Sequence, residues 1–295
     1  MLLGFSDIAK QTHMESSGVS LTPSHYFDST HPDVIEFELI GPLHLDLTQQ
    51  HKALVGGTNF VLEMIPNDQR FYADCSNGYS CKVDFVDTCF YVHRSRVSQE
   101  MVDAHNAALM KAPARYPFTR CEVRHMTIAS GQSDVILDNI VVGVLPRRMF
   151  ITLVENIDFV GENPFNFEHF DLNYIVCYRD GIQTPVKAYT PNFTKKQYNR
   201  EFLAFYRALN QNTTDPLISI SKSMWVNNPI FGFNFAPDLS NGPSLESHVN
   251  IREAGHLRVH VKFAEALKQA TVAIMYLEFD SCLEIDALRN IHVDY

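Results

Sequence analysis

The chain is short of several things, and each shortage removes a class of function. It has 24 Lys and Arg against 34 Asp and Glu among 295 residues, a formal net charge of −10. A protein that coats nucleic acid needs a basic face, so no direct nucleic-acid contact is expected. No run reaches the ~18 apolar residues of a membrane-spanning helix. The start, Met1-Leu-Leu-Gly, soon meets Ser6, Asp7 and Lys10, so no secretory leader is read there. There is one Trp, at 225, too few for the aromatic platform of a typical glycan binder. The six cysteines, at 75, 81, 89, 121, 177 and 282, form no C-x-x-C pair and no zinc spacing. Cys89, Cys121, Cys177 and Cys282 lie in apolar runs and are expected to be buried, reduced thiols. That points to synthesis in a reducing compartment, where the sequons at Asn192 and Asn212 would be chance matches. No G-x-S-x-G, Walker loop or G-x-G-x-x-G occurs.

What is present is strand pattern. From Gly255 the sequence alternates: Leu257, Val259, Val261 and Phe263 point one way, and His256, Arg258, His260 and Lys262 the other. Side chains of a strand leave opposite faces in turn, so this is a strand with one wet face. Thr271 to Phe279 is apolar on both faces and reads as a strand covered on both sides. The link 264–270 is too brief for a parallel crossover, so the two are expected to form an antiparallel hairpin. Earlier, Ile35, Phe37 and Leu39, then Leu43, Leu45 and Leu47, then 60–65 and 82–94 give four strand candidates. Ser98 to Lys111 reads as a helix capped by Ser98, and a second, shorter helix is expected in 199–210. After Pro113, further strands are expected at 120–128, 134–142, 149–154, 173–178 and 231–236, with a hairpin turn at Asp180-Gly181. Roughly eight strands after 115 is the count of a jelly roll. The fold class expected is an all-β jelly-roll β-sandwich with one or two short helices.

Candidate chemistry is thin. His256, His260 and Glu265 are the nearest to a cupin-like metal set, but residues four apart on a strand lie ~13 Å apart, and Arg258 stands between them. A solvated polar face is the better reading. His44 and Asp46 could start a metal site but lack a third ligand. Arg147-Arg148 and Lys195-Lys196 each read as an anion contact or, more simply, as solvated charge. Glu162-Asn-Pro-Phe-Asn-Phe167 reads equally as an ordered aromatic loop or as a subunit contact. No catalytic residue, cofactor or metal is expected.

Several pieces, in order, resemble a known family: Glu38–Leu47, Ala114–Val123, Gly143–Arg148, Asn163–Asn173, Asp180-Gly181, Ala236–Leu239, Tyr276–Asp286 and Ile291–Tyr295. The chain resembles the double jelly-roll major capsid proteins of Polinton/Maverick elements and adintoviruses, distant relatives of adenovirus hexon and virophage capsid proteins. The resemblance implies two stacked jelly rolls per subunit and homotrimers forming pseudo-hexameric capsomers of an icosahedral shell. It also implies a minor penton protein as a second partner, and a place in the virion after synthesis in host cytoplasm or nucleus. Against that pattern the chain looks short at its N-terminus. The expected division is a flexible segment 1–35, closing strands of a partial first roll plus a connecting helix over 36–112, and a second roll over 113–295. The alternatives are a monomeric jelly-roll module that binds carbohydrate or another ligand, and a non-functional relic of a capsid gene.

Overall fold

The computed structural model describes residues 52–67, 84–161, 164–209, 220–237, 239 and 251–294, with single positions between 26 and 50. Two dipeptide strands, β1 (Tyr26–Phe27) and β2 (Ile35–Glu36), pair antiparallel. The rest of the sheet structure follows helix α1 (Gln99–Leu109), where the Ser98 hydroxyl accepts from the Met101 N–H as expected of its cap.

Eight strands then build the body: β3 (Ala114–Ile128), β4 (Asp134–Val144), β5 (Arg148–Glu155), β6 (Leu172–Arg179), β7 (Ile182–Tyr189), β8 (Phe231–Asn234), β9 (Ala254–Phe263) and β10 (Thr271–Ile285). They pair antiparallel as nested couples, β6 with β7, β5 with β8, β4 with β9 and β3 with β10. This is one long hairpin whose tip is the β6–β7 turn. Rolling it up brings β5 beside β10 and β6 beside β9, giving layers β3-β10-β5-β8 and β4-β9-β6-β7. Nested pairing in two layers is the jelly roll. A last strand, β11 (Ile291–Asp294), borders the far half of β10. The hairpin tip is set by Asp180 and Gly181, both at positive φ, the conformation a two-residue I′ turn needs.

This winding corrects one expectation. The segments 254–263 and 271–285 are strands, but they do not form a hairpin: β9 belongs to one layer and β10 to the other. The link crosses the open side of the sandwich and is stitched to the β3–β4 corner by Gly131 N–H to Leu267 O (2.7 Å) and Leu267 N–H to Gln132 O (2.9 Å). The dry face of β9, Leu257 to Phe263, and the inner face of β10, Ala273 to Phe279, thereby meet in one core with Met149, Ile151 and Leu153 of β5. A hairpin would have set them side by side rather than facing.

Helices α2 (Asn156–Gly161), α3 (Asn199–Ala208) and α4 (Lys222–Asn227) complete the fold. Only α3 was legible as helical spacing. The strands expected in the first third form over few of their described residues. Ile35 and Glu36 do pair, but Leu43, Leu45, Leu47, 60–65 and 84–94 lie in no strand, and most of their apolar side chains are exposed. Alternation makes a segment able to be a strand; among the described residues no strand pairs with these segments. Phe37, Leu39, Lys82 and Val83 lie outside the described residues.

Candidate interaction surface

The outer face of the β3-β10-β5-β8 layer is divided into a covered and an open half. On the covered half, α3 and α4 lie over β5 and β8. Trp225 is buried, donates its indole N–H to Ile230 O (2.8 Å), and is ringed by Phe193, Tyr198, Phe202 and Phe231. Gly232 lets α3 approach: a Cβ there would sit 2.6 Å from the Ala208 Cβ. The lone tryptophan is therefore a core residue, with no face to offer a sugar.

Between the halves stands a buried ion network. Strand register places Arg148 opposite Glu278. The Arg148 Nε donates to Glu278 Oε2 (2.5 Å) and its Nη1 to Ala208 O (2.8 Å), which ties down the end of α3. Arg147 donates from Nε to Asp280 Oδ1 (2.7 Å) and from Nη2 to Glu278 Oε2 (3.3 Å). Arg147, Glu278 and Asp280 are all buried. Both readings of Arg147-Arg148, anion contact and solvated charge, give way to this one. The signal that could have found it was two carboxylates inside the otherwise apolar run 271–285, since buried charges come paired.

The open half belongs to β3 and β10. Val123 is exposed, Tyr276 lies opposite it in register, and Cys121 and His125 flank Val123 on the same exposed face. The Tyr276 hydroxyl donates to Cys121 Sγ (2.8 Å), and burial raises its phenol far above the ordinary value. Beyond lies the edge of β3, which pairs with β10 over its whole length and with no second strand among the described residues. Its inner side is closed by charge. Glu122 holds Arg120 and Arg124, Arg124 Nη1 reaches Ile140 O (2.5 Å) on β4, and the Arg120 guanidinium stacks over Phe279. Burial works to raise the Glu122 carboxyl, but hydrogen bonds from Arg124 and Arg120 bring it below its ordinary value.

On the outer face of the second layer β9 is polar, as its alternation requires, while Ile136 and Val142 of β4 stand exposed beside it. Asp134 accepts from Lys262 Nζ (2.7 Å) and pairs with His260 Nε2 (2.5 Å). Bonds from Lys262 and His260 lower its carboxyl, and the bond to Asp134 raises the Lys262 ammonium. Lys262 and Arg258 lie over the rings of Tyr174 and Tyr178. His256 and His260 do not converge with Glu265, and no group of three His, Cys, Asp or Glu fit to hold a metal occurs among the described residues. His44 and Asp46 lie outside them, while Lys195 and Lys196 are exposed. Pro164 is buried, and Phe167 bridges to Val154, so the described part of the aromatic loop is ordered against the sheet, with Phe165 half in water. Of the cysteines, Cys177 is buried with its thiol pushed well up by desolvation, Cys282 is half-buried, and Cys89 and Cys121 are exposed, against expectation. Cys121 lies on the outward face of β3, beside Val123.

Gln50 and residues 52–57 are moored to the foot of β3 and to the turn before β11. Gln50 Nε2 donates to Pro117 O, the Tyr116 hydroxyl donates to Ala53 O (3.2 Å) and accepts from Val55 N–H (3.1 Å), and Arg289 Nε donates to Gly56 O (2.9 Å). Past this mooring an arm leads to α1, whose Asn106 Oδ1 accepts from Arg289 Nη2 (2.8 Å). Its described stretches, 58–65 and 84–97, carry exposed Phe60, Val61, Met64, Ile65, Phe85, Val86, Phe90, Tyr91 and Val92, with Phe60 stacked on Phe90 at 6.1 Å.

No protein-family model matches the chain. A relative, "Uncharacterized protein F54H12.2" of Caenorhabditis elegans, is 24% identical over 262 residues, which is 85% of this chain and 62% of that protein. The chain thus spans less than two thirds of that relative's length. Among solved structures, PBCV-1 VP54 fitted into a cryo-EM reconstruction of the virophage Sputnik is similar at TM-score 0.38 and 8% identity, covering 68% of this chain and 55% of that one. The Sputnik virophage by cryo-EM gives TM-score 0.34 and 10% identity, covering 62% and 39%. A quasi-atomic PBCV-1 virus capsid gives 0.33 and 9%, covering 62% and 52%. At TM-scores this low the likeness is partial, and the jelly-roll assignment rests on the strand order itself.

Proposed function

We propose that the chain is a structural subunit of a viral or Polinton-like shell, a double jelly-roll capsid protein whose copies associate as trimeric, pseudo-hexameric capsomers. The observation that carries the reading is the order of the family-like pieces along the roll. Ala114–Val123 lies on β3, Gly143–Arg148 turns the β4–β5 corner, Asp180-Gly181 is the hairpin tip, Tyr276–Asp286 runs along β10, and Ile291–Asp294 is β11. Residues 113–295 are then the second roll, and 36–112 belong to a first roll and its connecting helix. The work is architectural and involves no turnover. It needs rigid sheets and repeated contacts, and the half-open outer face and uncovered arm supply surface for those. Its partners are further copies of itself and a minor penton protein, and its place is the virion after synthesis in the host.

Light scattering on the purified chain tests this. A mass near three times 33.6 kDa is expected. A monomer at every concentration overturns the reading and leaves a ligand-binding module, which a glycan array would then examine.

A further inference from the structure

A cleft opens at the corner where β4 turns into β5, beside the end of β6, the chain after β8 and the chain before β9. It holds about 40 Å³, and all its walls are described residues. A water needs ~10–15 Å³, so the space suits about three heavy atoms, the size of a carboxylate. Backbone bonds frame it: Leu145 N–H to Glu253 O (2.8 Å), Phe235 N–H to Arg147 O (2.8 Å) and Arg147 N–H to Glu278 O (2.7 Å). Part of its lining is apolar, including the buried Phe235 and Ile251, which is 93% exposed. Apolar walls with a few polar groups are the usual make-up of a binding site.

Three arginines line the cleft, and they are unequally occupied. Arg147 is spent on Asp280 and Glu278. Arg252 gives Nη1 to Asp294 Oδ2 (2.6 Å), a side chain 66% exposed, and an ion pair so open to water holds weakly. Arg179 is held more loosely still. Its Nη1 donates to Phe235 O (3.2 Å) and to Glu253 Oε2 (3.3 Å), its guanidinium lies over the Phe235 ring, and its Nε is buried without a hydrogen-bond partner. Leaving a buried donor unmatched costs free energy that an acceptor would recover. Nε and Nη2 make the guanidinium edge that takes both oxygens of a carboxylate, and neither is bonded here. The Glu253 side chain is itself 57% exposed, a weakly held neighbour.

We infer that the cleft receives the acidic side chain of a partner peptide, its carboxylate on Arg179 with Arg252 beside it, and its apolar neighbours on Phe235 and Ile251. The incoming carboxylate takes the place of Glu253, and the guanidinium turns its unused edge from the wall into the cleft. Because Glu253 and Asp280 also line the site, a singly charged carboxylate is favoured over a doubly charged phosphate. The inference goes beyond the shell reading and does not need it.

The test uses the full chain and a capped tripeptide with one glutamate between two leucines, its glutamine counterpart, and acetate. Saturation-transfer NMR reads binding in the millimolar range. Wild type, Arg179→Gln, Arg252→Gln and Glu253→Gln are compared, with the melting of the roll as the control for folding. The glutamate peptide is expected to bind and the glutamine peptide not. Arg179→Gln should weaken binding about tenfold or more, Arg252→Gln should weaken it less, and Glu253→Gln should strengthen it several-fold by removing the competitor. Opposite signs at Arg179 and Glu253 are not what a purely structural pair would give. If Arg179→Gln fails to fold, the fall in Arg252→Gln and the rise in Glu253→Gln decide. Binding of the glutamine peptide as tightly as the glutamate one, no binding of either, or indifference to the arginine variants overturns the inference. So does weaker binding in Glu253→Gln. Acetate held as tightly as the glutamate peptide marks a small-anion site and overturns the peptide. None of these outcomes changes the mass expected of the shell reading, so the two fail separately.

Discussion

Two stretches of this chain carry the same kind of pattern and meet different fates. In β9, Leu257, Val259, Val261 and Phe263 alternate with polar residues, and all four are buried. In the arm, Phe60 to Ile65 and Phe85 to Val92 are as rich in strand-forming side chains, yet nearly all of them stand in water. The difference is company. β9 has β4 on one side and β6 on the other, while the arm has no strand beside it among the described residues. Hydrophobic periodicity reports what a segment can become, and the neighbouring backbone decides whether it does.

The contrast can be broken most severely at the ion network, which only the roll possesses. Asp280→Ala takes from the buried Arg147 guanidinium its shorter carboxylate contact and should cost ~3–5 kcal/mol, read by denaturant unfolding. Trp225→Ala empties the aromatic cluster between α4 and the sheet, with a similar expected loss of ~3–5 kcal/mol. Leu257→Ala in β9 should cost ~2–5 kcal/mol, whereas Phe85→Ala in the arm should change the unfolding of a dilute, unassociated chain by no more than ~0.5 kcal/mol. Equal losses at these two sites would sink the comparison. Smallest is a pH effect at the β3 edge. Glu122 is held below its ordinary 4.5, so its contribution is present above that value and fades as pH falls through the lowered one. Glu122→Gln should therefore lower the melting temperature at neutral pH and make little difference in acid. A gap that widens in acid would contradict the Arg120–Glu122–Arg124 closure.

The roll was legible because its signals are local. The alternation of 256–263, the Asp180-Gly181 turn, the Ser98 cap and the spacing of Phe202, Tyr206 and Leu209 each determine their own element. What could not be read was which strands neighbour which. The link 264–270 looks the same whether it turns within a sheet or crosses between layers, and only the nesting of all eight strands decides. The ion network escaped for the same reason: Arg147 and Asp280 meet only once β5 lies beside β10. Cys121 was misplaced because its apolar neighbourhood in sequence says nothing of the open face it occupies. Of the interaction surface, the apolar stretches of the arm were legible, but they were expected as strands of a partial first roll, and their described residues form none.

The place of β10 has a consequence for how the protein is made. It is the central strand of its layer, joining β3 on one flank to β5 and β11 on the other, and it is the last of the roll's eight strands in sequence. Until the ribosome has delivered it, β3 and β5 have no strand between them and one wall of the core is missing. The roll therefore cannot close until β10 has been made. Its contacts are long-range in sequence, which slows folding, and the waiting strands expose their edges in the meantime. Delivery of β10 is the event that permits the roll to close, and protection of the waiting strands matters most in the interval just before it.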